Sequence, residues 1–535
     1  MKTMRRLLGR LSARRGRRAA AGSPGPDGLP RPLAEKLEEN LKVLRDLFGS
    51  APDLIVRRFR PGVAPDVEAA LVYLDGMVDD TVLHQHVLVP LLREDPAALG
   101  RRPRRAELAR RASERLVAAG NVSEVSDLDK AWDELLAGRA VVLFDGCPVG
   151  LTAAVKGWAT RSVEDPGTES VIRGSREGFT EDLLTNITLL RRRVRDPRLH
   201  VEFLTLGRRT KTKVALVHLH GVSSPYVLAE ARRRLRRVDL DSVLESGYIE
   251  QYIEDAPYSP FATVGNSEKP DVVAGKLLEG RVAIMVDGTP FALLVPYLFI
   301  ESLQSAEDYY SRPFFVSLLR LFRVIAFTLA ILLPALYVAV ASYHQELLPS
   351  ALAITLAGTR EGTPFPAVFE AMVMGVVFEV LREAGVRLPR PVGQAVTIVG
   401  ALVLGESAVQ AGLIGSLMVM VVALTGLATF AVPALVDIVV MLRVAFTLIA
   451  GVLGFYGIIL GLALLTAHAA AVTSFGVPYL WPFTPLSASG LLDTFIRAPL
   501  WVMRRRPVRL HPRPDVRRGP RPRVRRRAGR RGGTR

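Results

Sequence analysis

Residues 138–146 read GRAVVLFDG and residues 280–288 read GRVAIMVDG. Each is a short apolar run between a Gly-Arg pair and an Asp-Gly turn dipeptide, the pattern of a buried strand and its closing turn. Upstream, VYLDG ends at Gly76 and VHLHG ends at Gly221. The separations to the Asp-Gly glycines are 146 − 76 = 70 and 288 − 221 = 67 residues. Two strand–turn pairs at matched spacing mark a duplication. We expect an α/β region of two related subdomains, 33–161 and 198–312, with strands covered by helices.

The first subdomain opens on Leu33–Phe48, where Leu33, Leu37, Leu41, Leu44 and Leu47 form one helical stripe. Between the copies lies a densely charged linker, residues 162–197. Its second half predicts a helix over Thr180–Arg193. Thr180 suits the N-cap, Glu181 and Asp182 the first turn, and Arg191–Arg193 the last. Arg173, Arg176 and Glu177, just before it, are candidate docking contacts; the competing reading is a well-capped helix with no further role.

Beyond residue 312 the chain changes character. A spanning helix needs about 20 mainly apolar residues. Val324–Ala341, with Pro334 as a kink, is the first candidate. Phe365–Leu381 follows, carrying Glu370 and Glu379, then Ser407–Val432 and Val444–Ala471. Leu347–Ala357 and Val392–Gly405 are apolar but short. The expectation is an all-α polytopic membrane domain, 313–500, of about four spans, with five or six open. Both termini then lie on one side. Arg312, Arg320, Arg323, Arg382, Arg387, Arg390, Arg497 and Arg504–Arg506 mark that side as cytoplasmic. Glu346, Arg360, Glu361 and Asp437 fall on the other, and Arg443 is the awkward cation.

The 535 residues are 49% apolar and 23% charged, a membrane part joined to a soluble part rather than a disordered chain. Net charge is +18, yet residues 1–20 hold eight Lys/Arg and no acid. Residues 502–535 hold fifteen Arg against Asp515 alone, so the tails carry +8 + 14 = +22 and the middle −4. The domain limits follow: a basic disordered N-terminus, 1–32, and an Arg-rich cytoplasmic tail, 501–535. A polybasic tail beside a span favours anionic membrane lipid over nucleic acid. The start lacks the apolar core of a secretory signal, so the N-terminal half is expected to stay on the side where it was made. One cysteine, Cys147, excludes an internal disulfide framework and a multi-Cys metal site.

The linker sequence SVEDPGTESVIRGSREGFTEDLLTNITLLRRRV (162–194) resembles the signature of the A subunit of GerA-type spore germination receptors. The resemblance continues through Ser246–Ile249, Glu254-Asp255, Glu268–Asp271, EGRVAIMVDGTP (279–290) and Ala306–Tyr310. It enters the membrane half at LREAGVRLP (381–389), IVGALVLGESAVQAG (398–412) and SFGVPYLWP (474–482), covering roughly Pro52 to Pro507. It implies a spore inner-membrane protein of nutrient-triggered germination. It also implies a B-type transporter-like nutrient-sensing subunit and a C-type lipoprotein subunit as partners, and a homo-oligomeric, ion-channel-like assembly. A SpoVAF-like branch shares these motifs, and the fragments do not separate the two.

Ionisable groups inside apolar segments are costly and normally face protein or water. Glu370 and Glu379, nine positions apart, lie on opposite sides of a straight helix. Glu379, beside Arg382, suits an ion pair at the membrane boundary. Glu370 and Glu406 are better placed for an ion path, where a ring of carboxylates would favour cations. The glycines at 393, 400, 405, 412 and 415, and at 451, 454, 457 and 461, read as packing stripes. A non-conducting scaffold and a small-solute transporter are the rival readings. No Gly-x-Ser-x-Gly, Walker, Gly-x-Gly-x-x-Gly or His-Glu-x-x-His motif is present, so no enzyme activity and no cofactor are expected. Cys147 reads as a small core residue, His218 and His220 as one solvated strand face, and Asp145 and Asp287 as turn residues.

Overall fold

The computed structural model describes residues 31–49, 51–93, 108–115, 117, 121–157, 173–360, 362–387 and 403–503. The basic N-terminus to residue 30, the first part of the linker, residues 388–402 and the Arg-rich tail from 504 lie outside the described residues.

The duplication is a duplication of topology. In the first copy, helix α1 (Leu37–Phe48) precedes β1 (Leu54–Phe59) and β2 (Ala69–Leu74). Helical turns over Asp80–Arg93 and α2 (Leu108–Arg115) lead to β3 (Val122–Val125), α3 (Leu128–Leu136), β4 (Ala140–Phe144) and β5 (Gly150–Ala153). In the second copy, α4 (Leu183–Arg193) precedes β6 (Leu199–Leu206), β7 (Thr212–Leu219), α5 (Pro225–Leu235) and α6 (Ser246–Ile253). Then come β8 (Gly265–Ser267), α7 (Pro270–Leu278), β9 (Val282–Val286) and β10 (Ala292–Val295). The sheet orders are β1-β2-β4-β5-β3 and β6-β7-β9-β10-β8, the same permutation twice. Every ladder is antiparallel, a point the alternation of strands and helices left open. Central strands β4 and β9 are buried along their whole length, as apolar runs without alternation require.

The two copies are locked in the same way. The Asp145 carboxylate accepts the Leu37 backbone N–H at 3.1 Å, and the Asp287 carboxylate accepts that of Leu183 at 3.3 Å. The Gly146 N–H donates to the Glu35 carbonyl and the Gly288 N–H to that of Glu181, both at 2.8 Å. Asn40, buried, bonds both ways with the Ala34 backbone; Asn186 does the same with Thr180. Each Asp-Gly turn therefore receives the N-terminus of the helix that opens its own copy, where backbone N–H groups lack partners. The positive φ of Gly146 (77°) and Gly288 (88°) makes glycine the fitting residue there. The linker helix starts at Leu183, two to three residues later than expected. Asp182 caps it, accepting the Thr185 N–H at 2.7 Å, while Thr180 serves the asparagine clamp.

Beyond the sheets the chain is helical: α8 (Pro313–Tyr343), α9 (Ser350–Arg360), α10 (Ala367–Arg387), α11 (Ser416–Phe430) and α12 (Val436–Ala471). Two stretches, Pro313–Tyr343 and Pro433–Ala471, are long and apolar enough to cross a membrane by length and composition. Pro334 lies inside α8. The segment expected as one span over Ser407–Val432 is not one helix. Residues 403–410 are helical, a turn with Gly412 at φ 67° follows, and α11 begins at Ser416.

Helix α12 is broken as well. Gly454 sits at φ 58°, ψ −141°, a region open to glycine and strained for other residues. The two arms fold back on each other: a Cβ at Gly457 would stand 2.6 Å from Ile449 Cγ2, and one at Gly461 2.8 Å from the Phe446 ring. The glycines read as a packing stripe thus sit where the arms approach. The bend lies against the far end of α8. Tyr343 Oη donates to the Gly451 carbonyl at 2.7 Å, and a Cβ at Gly451 would meet Val368 of α10 at 2.6 Å. The first arm starts beside the sheets, where the turn Pro433–Leu435 packs on Phe299–Leu303. The second arm returns there, with His468 bonded to Ser259 Oγ at 2.8 Å. Asp437 therefore lies at the end near the sheets, not at the far end as its assignment to the outer side required.

Candidate functional site

Two joints tie the sheets to the helices, and a third site lies inside the helical bundle. The first joint is the hairpin that follows α12, Thr473–Ser474 paired with Val477–Pro478. Its tip turns Phe475 into the second copy, where the ring is fully buried with Val227, Ala231, Ile249 and Ile253 of α5 and α6. Phe475 holds φ 47°, a strained value for a bulky side chain. Its surroundings fix that conformation. Asp255 accepts the Phe475 N–H at 2.8 Å, and the Arg234 guanidinium lies 4.2 Å from the ring centroid. Arg234 in turn grips Asp255 at 2.8 and 2.9 Å. A cation over an aromatic face in a desolvated setting adds about 2 kcal/mol. Ser474 Oγ donates to the Thr263 carbonyl at 2.6 Å and accepts the Tyr297 N–H at 3.0 Å. Gly476 (φ 78°) faces Tyr226 so closely that a Cβ would stand 2.7 Å from the ring.

The second joint links the first turns of α8 to the segment after the hairpin. Arg320 is buried and donates to Asp308 at 2.8 Å, Asp493 at 3.0 Å and the Thr494 carbonyl at 2.7 Å. Arg323 reaches Asp308 at 2.9 Å, and Tyr309 Oη donates to Asp493 at 2.9 Å. Arg497 donates to the carbonyls of Ser311 and Tyr309. Burial pushes the Asp493 carboxyl up, against the pull of Arg320, and pushes the Tyr309 hydroxyl well above its ordinary value. These residues include the Ala306–Tyr310 motif, which is thereby explained as an anchor for α8.

Inside the bundle, Glu370 on α10 is 1% exposed, and neither carboxylate oxygen has a hydrogen-bond partner. Tyr337 of α8 lies within electrostatic reach of both Glu370 and Arg360 of α9, and its Oη is likewise without a hydrogen bond. Glu379 is different: it is paired with Arg382 and lies 3.6 Å from Arg443 of α12. Arg443, the awkward cation of the sequence, finds its counter-ion there. Glu406 is exposed and accepts from Gln410 Nε2 at 3.0 Å. The three acids thus occupy three environments: Glu379 has the ion pair with Arg382 expected of it, Glu370 is buried without a hydrogen bond, and Glu406 is exposed.

The three docking candidates also separate. Glu177 turns back onto its own helix, pairing with Arg192 at 3.2 Å and with Arg193. The Arg173 N–H points to Glu307 at 3.4 Å, and the Arg176 side chain is exposed. Cys147 is buried in the first copy's core. His218 departs from the expected solvated face: it is 3% exposed, and burial pushes its imidazole down to about 4. The reason is that His200, on the neighbouring strand, covers it; only His220 is exposed. Phe475, Arg234 and Asp255 were not read as a joint from sequence. The signal was the Phe-Gly pair after the last apolar run, a bulky residue beside a glycine in a tight turn.

A duplicated antiparallel α/β region is pinned at two joints to a helical bundle in which two stretches are long and apolar enough to cross a membrane. The chain belongs to the GerA family: the description "Bacillus/Clostridium GerA spore germination protein" matches residues 42–509. It is 42% identical to spore germination protein KA of Bacillus subtilis (strain 168) over 89% of this chain and 87% of that one. It is 38% identical to spore germination protein GerLA of Bacillus cereus, over 89% and 96%. Among solved structures it is similar to the N-terminal domain of the A subunit of the Bacillus megaterium spore germinant receptor GerK3. There the identity is 36%, the coverage 51% of this chain and 98% of that one, and the TM-score 0.41.

Proposed function

We propose that this protein is the A-type subunit of a germinant receptor and acts in nutrient-triggered spore germination. In this reading it is an integral protein of the spore inner membrane with both termini cytoplasmic, a homo-oligomer that works with a B-type sensing subunit and a C-type lipoprotein. The helical part crosses the membrane an even number of times, with α8 and α12 supplying the stretches of spanning length, so that both termini stay on one side. The Arg-rich tail binds anionic lipid. The relatives' identity over nine-tenths of the chain supports the germination role.

The channel-like role rests on Glu370. A buried carboxylate without a hydrogen bond is costly in an apolar bundle, and such groups mark ion or proton paths in membranes. A carboxylate on such a path favours cations. The two joints transmit partner binding on the sheets to α8 and α12, which pack against α10, the helix that carries Glu370. The test is cation release from germinating spores carrying Glu370→Gln, with Glu406→Gln alongside and subunit abundance measured in the same membranes. Slower or less selective release in Glu370→Gln at normal abundance supports the channel. Unchanged release makes Glu370 structural and favours the scaffold, with the path in a partner subunit.

A further inference from the structure

We propose that His200, His218 and His220 form a binding site for a divalent transition-metal ion of the zinc class, on the second sheet beside the end of α1. One ring nitrogen from each lies within 4.8 Å of the others. The placement follows from strand geometry. His200 and His218 are direct partners across the β6–β7 ladder, and His220 follows two residues on, on the same face. Three imidazoles from adjacent strands are a donor set that zinc takes with a fourth position open. His200 and His218 meet edge to face at 5.4 Å, and His200 and His220 stack at 4.9 Å.

Each nitrogen is prepared differently. His200 Nε2 lies 3.2 Å from the Leu47 carbonyl. A carbonyl only accepts, so Nε2 carries the proton and Nδ1 keeps the lone pair. Such an outer hydrogen bond is how metal-binding histidines are oriented. A Cβ at Gly49 would stand 2.3 Å from this ring, so the first copy's helix end is shaped around it. His218 Nδ1 is buried without a hydrogen bond, 3.7 Å from Glu202 Oε1. The charges nearby are balanced: Arg191 is paired with Asp53, Arg232 with Glu202, and Asp196 lies within electrostatic reach of His200. Zinc–nitrogen bonds of about 2.0–2.1 Å draw the donors closer than they stand here. The exposed His220 is the side chain with room to move.

The test uses the full-length protein in detergent, purified with a tag that contains no histidine. It is stripped with a chelator, dialysed against zinc, and assayed for bound metal by mass spectrometry. Cobalt is the spectroscopic probe, since imidazole ligation gives a visible ligand-field band. Wild type should retain one equivalent, show the band, and melt at a higher temperature with metal than without. His220→Ala removes an exposed ligand without opening the core. It should weaken binding by about 100-fold or more and abolish both the band and the melting shift. His218→Gln serves as the second variant. No retained metal in wild type, or equal affinity and the same spectrum in both variants, overturns the site and leaves a stack of neutral imidazoles. Either result is independent of the germination reading, because the readouts are metal content and spectrum.

Discussion

Asp53 and Arg191 form a buried ion pair between the turn that enters the first strand of one copy and the opening helix of the next, each 1% exposed. Arg191 Nη2 donates to Asp53 Oδ1 at 2.9 Å, Nη1 reaches the Leu199 carbonyl at 3.3 Å, and the guanidinium lies 5.7 Å from the Phe48 ring centroid. Arg191 was read from sequence only as a favourable last-turn cation. It is instead the rivet between the halves. Asp53→Ala strands a buried guanidinium and should cost about 3–5 kcal/mol. Replacing both partners by apolar residues, Asp53→Leu with Arg191→Met, should recover much of it. Denaturant unfolding followed by tryptophan fluorescence reads the difference; equal loss in single and double variants would refute the pairing as the cause.

The paired locks make a matched prediction. Asp145→Ala and Asp287→Ala each remove the acceptor for a helix N-terminus, so each should cost about 1 kcal/mol, like the loss of an N-cap. The two losses should be equal within error, and additive, because the sites lie in different copies. Hydrogen exchange at Leu37 and Leu183 locates the effect: each amide should speed up only in its own variant.

Phe475 should act through volume and geometry together. Phe475→Ala empties a filled core position, at about 3–5 kcal/mol. Phe475→Leu, keeping most of the volume, should cost under about half of that. In spores, Phe475→Ala at normal abundance should blunt the nutrient response while leaving the helices in the membrane. A normal response with a detached hairpin, shown by protease cleavage near residue 475, would end the coupling role.

Glu250 on α6 supplies a pH dependence. Burial, with help from Glu254 and Glu245, raises its carboxyl from 4.5 to about 7. The folded protein therefore holds a proton that the unfolded chain releases above about pH 4.5. That contribution is full below pH 4.5 and is lost as pH climbs through 7. The melting temperature of wild type relative to Glu250→Gln should fall between pH 5 and pH 8. A constant gap between the two curves would exclude the shift.

The duplication was legible because strand and turn chemistry is local: GRAVVLFDG and GRVAIMVDG carry their own burial pattern and their own stop. The locks were half legible. Leu37-Glu-Glu-Asn40 and Leu183-Leu-Thr-Asn186 share an asparagine at the fourth position, yet its partner carbonyl is set by the chain's path. The ion pair between near neighbours, Glu379 and Arg382, was legible; the long-range ion pairs were not. Asp53–Arg191 joins residues 138 apart and Arg320–Asp493 residues 173 apart. No periodicity carries such information. The helical half misled where glycines break helices, at Gly412 and at Gly454. A hydropathy profile counts apolar length, and Gly454 costs nothing on that scale, so a hairpin reads as a single long span.

The hairpin that carries Phe475 is made late. The strands around its pocket, ending at Val295, leave the ribosome long before residue 475, with the whole helical bundle still to come. Until then the second copy holds an unfilled slot between α5 and α6, lined by Val227, Ala231, Ile249 and Ile253. The core of the second copy is therefore completed from outside itself, by a residue that reaches it only when the chain has passed through the bundle and come back.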